Sequence, residues 1–298
     1  MRLRHISGEV WPAIRHANKR RKQGINFSMN TVTYHQLSSK RADRTATTAR
    51  IVLFGFAGGS ISALLSLAKQ LPRWIDVWGA EYPGRGLRWS SKPLDSTKTL
   101  LDDLLPGLRA LSDQPVVLLG YSMGANIAYR LALELPGLVR GVIAASSPPP
   151  CRRTTEWDVK QSSDQVLLDH LISLGGIPPE ILSNRTIMET FLPVVRADLS
   201  VCADMHNLSS PPLDCPILVI HGASDDLVGK GDAPLWLLAS GGEPDHSHIK
   251  VYPGGHFFHQ GAEQTVAADI ARWLDAVSVN PSALNHHHVS FPATDHFQ

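Results

Sequence analysis

Between residues 50 and 146, short apolar runs alternate with longer stretches whose apolar residues recur at helical spacing. No other feature restricts the chain as much. Ile51-Val-Leu-Phe54 is a strand-like run ending in Gly55-Phe-Ala-Gly-Gly-Ser60. Ser62 to Leu71 follows with a stripe of Leu64, Leu65, Leu67, Ala68 and Leu71. Ile75-Asp-Val-Trp78 is a second strand, running into the turn Glu81-Tyr-Pro-Gly-Arg-Gly86. Thr97 to Leu111 has leucines at 100, 101, 104, 105, 108 and 111, a helical period. Val116 to Leu119 is a strand, Ala125 to Leu135 a helix stopped by Pro136-Gly137, and Gly141-Val-Ile-Ala-Ala145 another strand. Alternation of this kind predicts an α/β fold, a mostly parallel central sheet with helices on both faces.

The alternation breaks at Ser147-Pro-Pro-Pro150 and resumes at Pro216-Ile-Leu-Val-Ile-His221. Between them, Gln165 to Leu174 and Met188 to Val201 are amphipathic and helical, separated by Gly175-Gly-Ile-Pro-Pro179. A helical excursion between two strands of one sheet reads as a lid inserted at about 148–212, with ordinary packing helices as the alternative. A strand at Ile249-Lys-Val-Tyr252 and a closing helix, Gln264 to Val277, complete the pattern. The expected organisation is a basic, disordered arm at 1–47, a single domain at 48–278 and a loose tail at 279–298. In the tail, a floppy segment is favoured over a weak metal site at His286-His-His288.

Charge supports this division. The chain of 298 residues has a formal net charge of only +1, but eleven Lys/Arg stand against two acids in the first 50 residues, leaving the remainder acidic by eight. With 43% hydrophobic and 18% charged residues, the body can bury a core. The arm is Arg-rich and acid-poor, as a transit peptide or a nucleic-acid arm can be, yet its polar, unperiodic character fits disorder better. No nucleic-acid partner is expected. Met29 is an alternative start, because ordered patterning begins near Arg50. No apolar run is long enough to span a bilayer, and the first 30 residues lack a secretory apolar core. Cys151, Cys202 and Cys215 have neither metal-type nor disulfide-framework spacing and read as thiols in a reducing compartment. A cytoplasmic monomer is expected.

The chemistry centres on Gly120-Tyr-Ser-Met-Gly124, which follows a strand and precedes a helix. That context suits a nucleophile elbow. The flanking glycines allow a tight turn that lifts the Ser122 hydroxyl above the sheet edge, at a helix N-terminus that favours negative charge. A serine needs a base. Of fourteen histidines, His256 stands on a glycine turn, Pro253-Gly-Gly-His256-Phe-Phe, between the last strand and the last helix. It is favoured over His259 and over His221, which ends a strand. The base needs a carboxylate to fix its tautomer. His221-Gly-Ala-Ser-Asp225-Asp226 ends the preceding strand, and Asp225 is favoured over Asp226. The order Ser122, Asp225, His256 is that of the α/β-hydrolase fold. The oxyanion hole would take the N–H of Met123 and one from the loop after the first strand, Ala57 or Phe56. No dinucleotide loop, P-loop or zinc-protease motif occurs.

Five segments, taken together, are similar to the type II thioesterases that accompany nonribosomal peptide and polyketide synthetases. They are Phe54-Gly-Phe-Ala-Gly-Gly-Ser60, Glu81-Tyr-Pro-Gly-Arg-Gly-Leu-Arg88, Gly120-Tyr-Ser-Met-Gly124, Gly222-Ala-Ser-Asp225-Asp226 and Pro253-Gly-Gly-His-Phe257. Leu174-Gly-Gly-Ile-Pro-Pro-Glu180 and Phe191-Leu-Pro-Val-Val-Arg-Ala-Asp198 resemble the lid of that family. The resemblance covers about residues 48–278. It departs at Gly55, where the family usually has proline, and at Tyr121, where histidine is common. It implies hydrolysis of acyl groups from the phosphopantetheine arm of carrier proteins, with Ser122 as nucleophile, His256 as base and Asp225 as orienting acid. It implies no cofactor and no metal. Arg85 and Arg88 could meet the carrier's phosphate, although a solvated turn is the favoured reading. A serine esterase or lipase acting on oxygen esters, and a non-catalytic binding protein of the same fold, are the alternatives.

Overall fold

In the computed structural model, seven strands form one sheet in the order β1-β3-β2-β4-β5-β6-β7. The structure describes residues 33–37, 49–111, 114–152, 162–173, 185–206, 208–229, 231–240 and 247–278. The strands are β1 (Tyr34–Gln36), β2 (Ala49–Phe54), β3 (Ile75–Ala80), β4 (Val116–Tyr121), β5 (Val139–Ala145), β6 (Ile217–Gly222) and β7 (His248–Tyr252). The helices are α1 (Leu65–Gln70), α2 (Thr97–Ala110), α3 (Met123–Glu134), α4 (Asp164–Ser173), α5 (Arg185–Met205), α6 (Asp232–Leu237) and α7 (Glu263–Ser278). All strand pairs are parallel except β1 with β3.

Side chains alternate across the sheet, as the pleat requires. On β2, Val52 and Phe54 join a core with α2, α3 and α6, while Ile51 and Leu53 join a second core with α1 and α7. Layers on both faces make the α/β architecture expected of the alternation. The connection after β2 leads outward to β3 and the chain then returns to β4, so the order reverses between β2 and β4. In open α/β sheets, ligand sites form at the strand C-termini beside such a reversal.

Two elements correct the expected layout. Residues 33–37, assigned to a disordered arm, belong to the sheet: Tyr34 pairs with Ala80 and Gln36 with Trp78. The Tyr34 hydroxyl donates to the Leu104 carbonyl at 3.0 Å, and the ring is buried. Helix α6 occupies a stretch for which no element was expected, and its Trp236 is fully buried.

The excursion after β5 has two characters. The C-terminal part of α5 is core, since Val201 and Met205 pack with α2 and α3. Arg130 of α3 donates to the carbonyls of Met205 and Leu208 (3.1 and 3.3 Å), closing the end of that helix. The N-terminal part instead shares a small separate cluster with α4, built on Leu167, Leu171 and Val195.

The rest of the arm, the start at Met29, the Gly175–Pro179 break and the His286–His288 tail lie outside the described residues. Among the described residues, no helix is long and apolar enough to cross a membrane, and no cluster of His, Cys, Asp and Glu could hold a metal ion.

Candidate active site

The register of the parallel strands lines up their C-terminal ends. Phe54 of β2 lies beside Gly120 of β4, Tyr121 beside Ala145 of β5, Ala145 beside Ile220 of β6, and Gly222 beside Tyr252 of β7. The loops that follow β2, β4, β6 and β7 therefore meet along one edge. These loops carry the residues singled out from the sequence.

Ser122 caps α3 with φ 54° and ψ −117°, a conformation rare for a residue with a side chain. The turn persists because its flanks leave it no alternative. A Cβ at Gly120 would fall 2.0 Å from the Gly124 carbonyl oxygen, and one at Gly124 would fall 2.2 Å from that of Phe54. The Ser122 N–H donates to the Ala145 carbonyl at 2.8 Å, and the Ser122 carbonyl accepts from Ala125 N–H at 2.9 Å.

The structure brings Ser122, His256 and Asp225 together. Ser122 Oγ lies 3.1 Å from His256 Nε2. His256 Nδ1 lies 3.2 and 3.1 Å from the two oxygens of Asp225. The loop of the acid is tied to the loop of the base by backbone bonds, Ala223 N–H to Tyr252 at 2.7 Å and Ser224 N–H to Gly254 at 2.9 Å. Asp225 also accepts the Leu227 N–H at 3.0 Å. Burial works to raise its carboxyl, but the hydrogen bond and charge attraction from His256, with the Leu227 N–H, outweigh it and hold the group below the ordinary carboxylate value. The Asp225 carboxylate thus faces one nitrogen of the imidazole and the Ser122 hydroxyl faces the other.

The competing residues sit elsewhere. Asp226 is exposed. His221 Nδ1 is 3.0 Å from the Gly222 carbonyl. His259 is buried to 1% exposure with its ring 4.8 Å from that of Tyr121, and burial pushes its pKa down to about 4, so it is neutral where a base works. Met123 is the first residue of α3 and is buried. Phe56 and Ala57 lie on the loop leaving β2, with the Phe56 ring edge-on to Phe257 at 4.9 Å and to Tyr121 at 6.0 Å.

The sequence missed several groups at this edge. The Tyr121 hydroxyl donates to the backbone carbonyl of His256. Sequence alone marked Tyr121 only as a departure from a family pattern. Asp198 of α5, which drew notice only as part of the lid resemblance, accepts the Gly58 N–H at 2.7 Å. Arg85 and Arg88 are neither a solvated turn nor free for phosphate. They are 7% and 5% exposed. Arg85 forks onto Asp198, with Nη2 to Oδ1 at 2.7 Å, and Arg88 forks onto Asp103 at 2.6 and 2.7 Å. Asp198, the buried acid that neutralises Arg85, lies 113 residues away in sequence, and the half-buried Asp103 that pairs with Arg88 lies 15 residues away.

Known proteins resemble the chain over this same region. A family model described as a thioesterase domain matches residues 49–274. The gramicidin S biosynthesis protein GrsT of Aneurinibacillus migulanus is 28% identical over 221 residues, covering 72% of this chain and 84% of that protein. Among solved structures, the type II thioesterase BorB from the borrelidin biosynthetic cluster superposes with a TM-score of 0.71 at 29% identity, over 82% of this chain and 98% of BorB. YbtT, a type II thioesterase from the yersiniabactin NRPS/PKS biosynthetic pathway, superposes at 0.70 with 29% identity, over 82% of this chain and 99% of YbtT.

Proposed function

The chain belongs to the thioesterase family, and from that premise we propose that it releases acyl groups from the phosphopantetheine arm of carrier proteins through Ser122, His256 and Asp225. It is a thioester hydrolase of the α/β-hydrolase fold and resembles type II thioesterases. The observation that carries the proposed roles is the chain of contacts from Ser122 Oγ through His256 to Asp225.

The chemistry runs through an acyl-enzyme. His256 Nε2 takes the hydroxyl proton as Ser122 Oγ attacks the thioester carbonyl carbon. The oxygen of the tetrahedral intermediate accepts hydrogen bonds from Met123 N–H and from Ala57 or Phe56 N–H. Collapse breaks the carbon–sulfur bond, and the proton on His256 goes to the departing sulfur. Water then enters, gives its proton to His256 and attacks the acyl carbon. Collapse of the second intermediate returns the proton to Ser122 and frees the acid. Asp225 holds the imidazole in one tautomer and steadies its positive form throughout. No step calls for a metal or a cofactor.

The biological role follows from the relatives' setting. The enzyme clears stalled or misprimed acyl chains from carrier domains of a synthetase, acting as a cytoplasmic monomer. Helix α4 and the N-terminal part of α5 form the lid, supported by their separate cluster and by the contact of α5 with the loop after β2. Ser122→Ala tests the reading. It should abolish hydrolysis of an acyl-carrier thioester while the circular dichroism spectrum stays that of the parent. Full activity in that variant, or faster turnover of simple oxygen esters than of thioesters by the parent, would reject it.

A further inference from the structure

We propose that Asp198 and Arg85 are positioning residues for the oxyanion hole. Their ion pair, anchored on α5, holds the loop 55–61 so that its backbone N–H faces the reacting carbonyl oxygen. The inference rests on the reading of Ser122 as nucleophile and of this loop as the source of the second donor.

The loop is gripped along its length by residues distant in sequence. The Gly55 carbonyl accepts from the Tyr82 hydroxyl at 3.2 Å. Gly58 N–H donates to Asp198 Oδ2 at 2.7 Å. The Ser60 hydroxyl donates to Glu81 Oε2 at 2.9 Å, and Ile61 N–H to Glu81 Oε1 at 3.3 Å. Phe56 and Ala57, the candidate donors, lie between the first two grips. Neither grip is independent of Arg85. Its guanidinium forks onto Asp198, donates to the Pro83 carbonyl at 3.3 and 3.2 Å, and stacks 5.3 Å from the Tyr82 ring. One cation thus organises the acceptor for Gly58 and the turn that presents Tyr82.

Burial makes this arrangement demanding. Asp198 is 2% exposed, and both of its oxygens are engaged. A buried ion pair gives little net stability over an apolar pair of the same volume, but breaking it leaves a charge stranded. What the pair supplies here is geometry. A neutral amide at 198 would keep the shape, weaken the charge-assisted bonds and turn an N–H₂ toward either Arg85 or Gly58. Either outcome lets the loop drift, and a donor misplaced by about 1 Å costs on the order of 100-fold in rate. The pair also joins the proposed lid helix to the oxyanion loop, so displacement of α5 would disturb the site.

The test uses the full chain and a soluble acyl-pantetheine thioester. Asp198→Asn should lower kcat by about 10- to 100-fold with KM within about twofold. A trifluoromethyl ketone analogue, which forms a tetrahedral adduct on Ser122, should lose affinity by the same factor. A non-hydrolysable thioether analogue should bind as it does to the parent. Arg85→Lys keeps the cation but loses the fork, and should show the same split with a smaller loss. It carries the test alone if Asp198→Asn yields no folded protein. A folded variant with parental kcat and ketone affinity would overturn the clamp, as would equal loss of affinity for both analogues. Full activity in Ser122→Ala would instead overturn the reading of the site, and the clamp with it.

Discussion

The elbow around Ser122 and the loop 55–61 touch at Gly124, yet they are held by different means. The elbow is fixed by backbone against backbone. Gly120 lies against Gly124, and Gly124 against the carbonyls of Phe54 and Gly55, with no room for a single added carbon. The loop is fixed by polar side chains that arrive from the turn after β3 and from α5. Steric fixation by backbone admits one answer. Polar fixation is long-range, and it adapts when a partner is altered. The two halves of the site should therefore fail differently.

The largest effect is expected at the elbow. In Gly124→Ala the new Cβ would lie 2.2 Å from the Phe54 carbonyl oxygen and 2.6 Å from that of Gly55, and neither atom can yield without moving β2. Overpacking of a rigid core typically costs about 1–3 kcal/mol and occasionally more, and here the displaced atoms are the site itself. The variant should be insoluble, or fold with activity reduced by roughly 100- to 1,000-fold, as when an oxyanion donor is removed. Thermal melting with thioester turnover checks it. Parental turnover would show that the elbow is as adaptable as the loop.

This difference also explains what the sequence revealed. Ser122, Asp225 and His256 were legible as one constellation because each sits just past a strand. Parallel strands of an α/β sheet bring those ends together whatever the rest of the chain does. Asp198 and Arg85 were not, because an acid in a helix and an arginine in a turn look solvated until the fold sets them 113 residues apart in one ion pair. The layout failed for a related reason at β1. Three residues, of which only Tyr34 is buried, carry no periodicity, and they become a strand through pairing with β3. Helix α6, six residues long, is similarly too short to show a period.

The loop should give way more gently. Gly58 has φ +76°, and a Cβ there would meet Val195 Cγ2 at 2.9 Å and the Phe191 ring at 3.1 Å, both of them side chains of α5. Side chains can rotate, so Gly58→Ala should fold. The left-handed backbone costs an alanine about 1–2 kcal/mol, and the shifted loop should lower kcat by about 10- to 100-fold while Ser122 still reacts with its substrate. Measuring melting temperature and kcat together sharpens the contrast, because here the loss of rate should exceed what the loss of stability explains. A variant as damaged as Gly124→Ala would mean that α5 is as rigid as the sheet.

Acid probes the elbow side through His259, whose ring packs edge-on to Tyr121. Burial lowers its pKa from the ordinary 6.5 to about 4. Glu263 opposes that fall, and the neighbouring His256 adds to it. The unfolded chain therefore binds a proton over a range in which the folded protein does not. Stability is complete above about pH 6.5 and drains away as pH falls toward about 4. At about 1.4 kcal/mol for each tenfold change in proton affinity, the loss is on the order of 3 kcal/mol. Asp225, with its lowered pKa, adds loss in the same direction at still lower pH. Urea unfolding across this range should show stability declining with acidity. In His259→Phe, which keeps an aromatic ring against Tyr121, the decline should be shallower. An unchanged slope would mean that acid enters elsewhere, and that the aromatic packing behind the elbow tolerates a charge its close-set backbone would not lead one to expect.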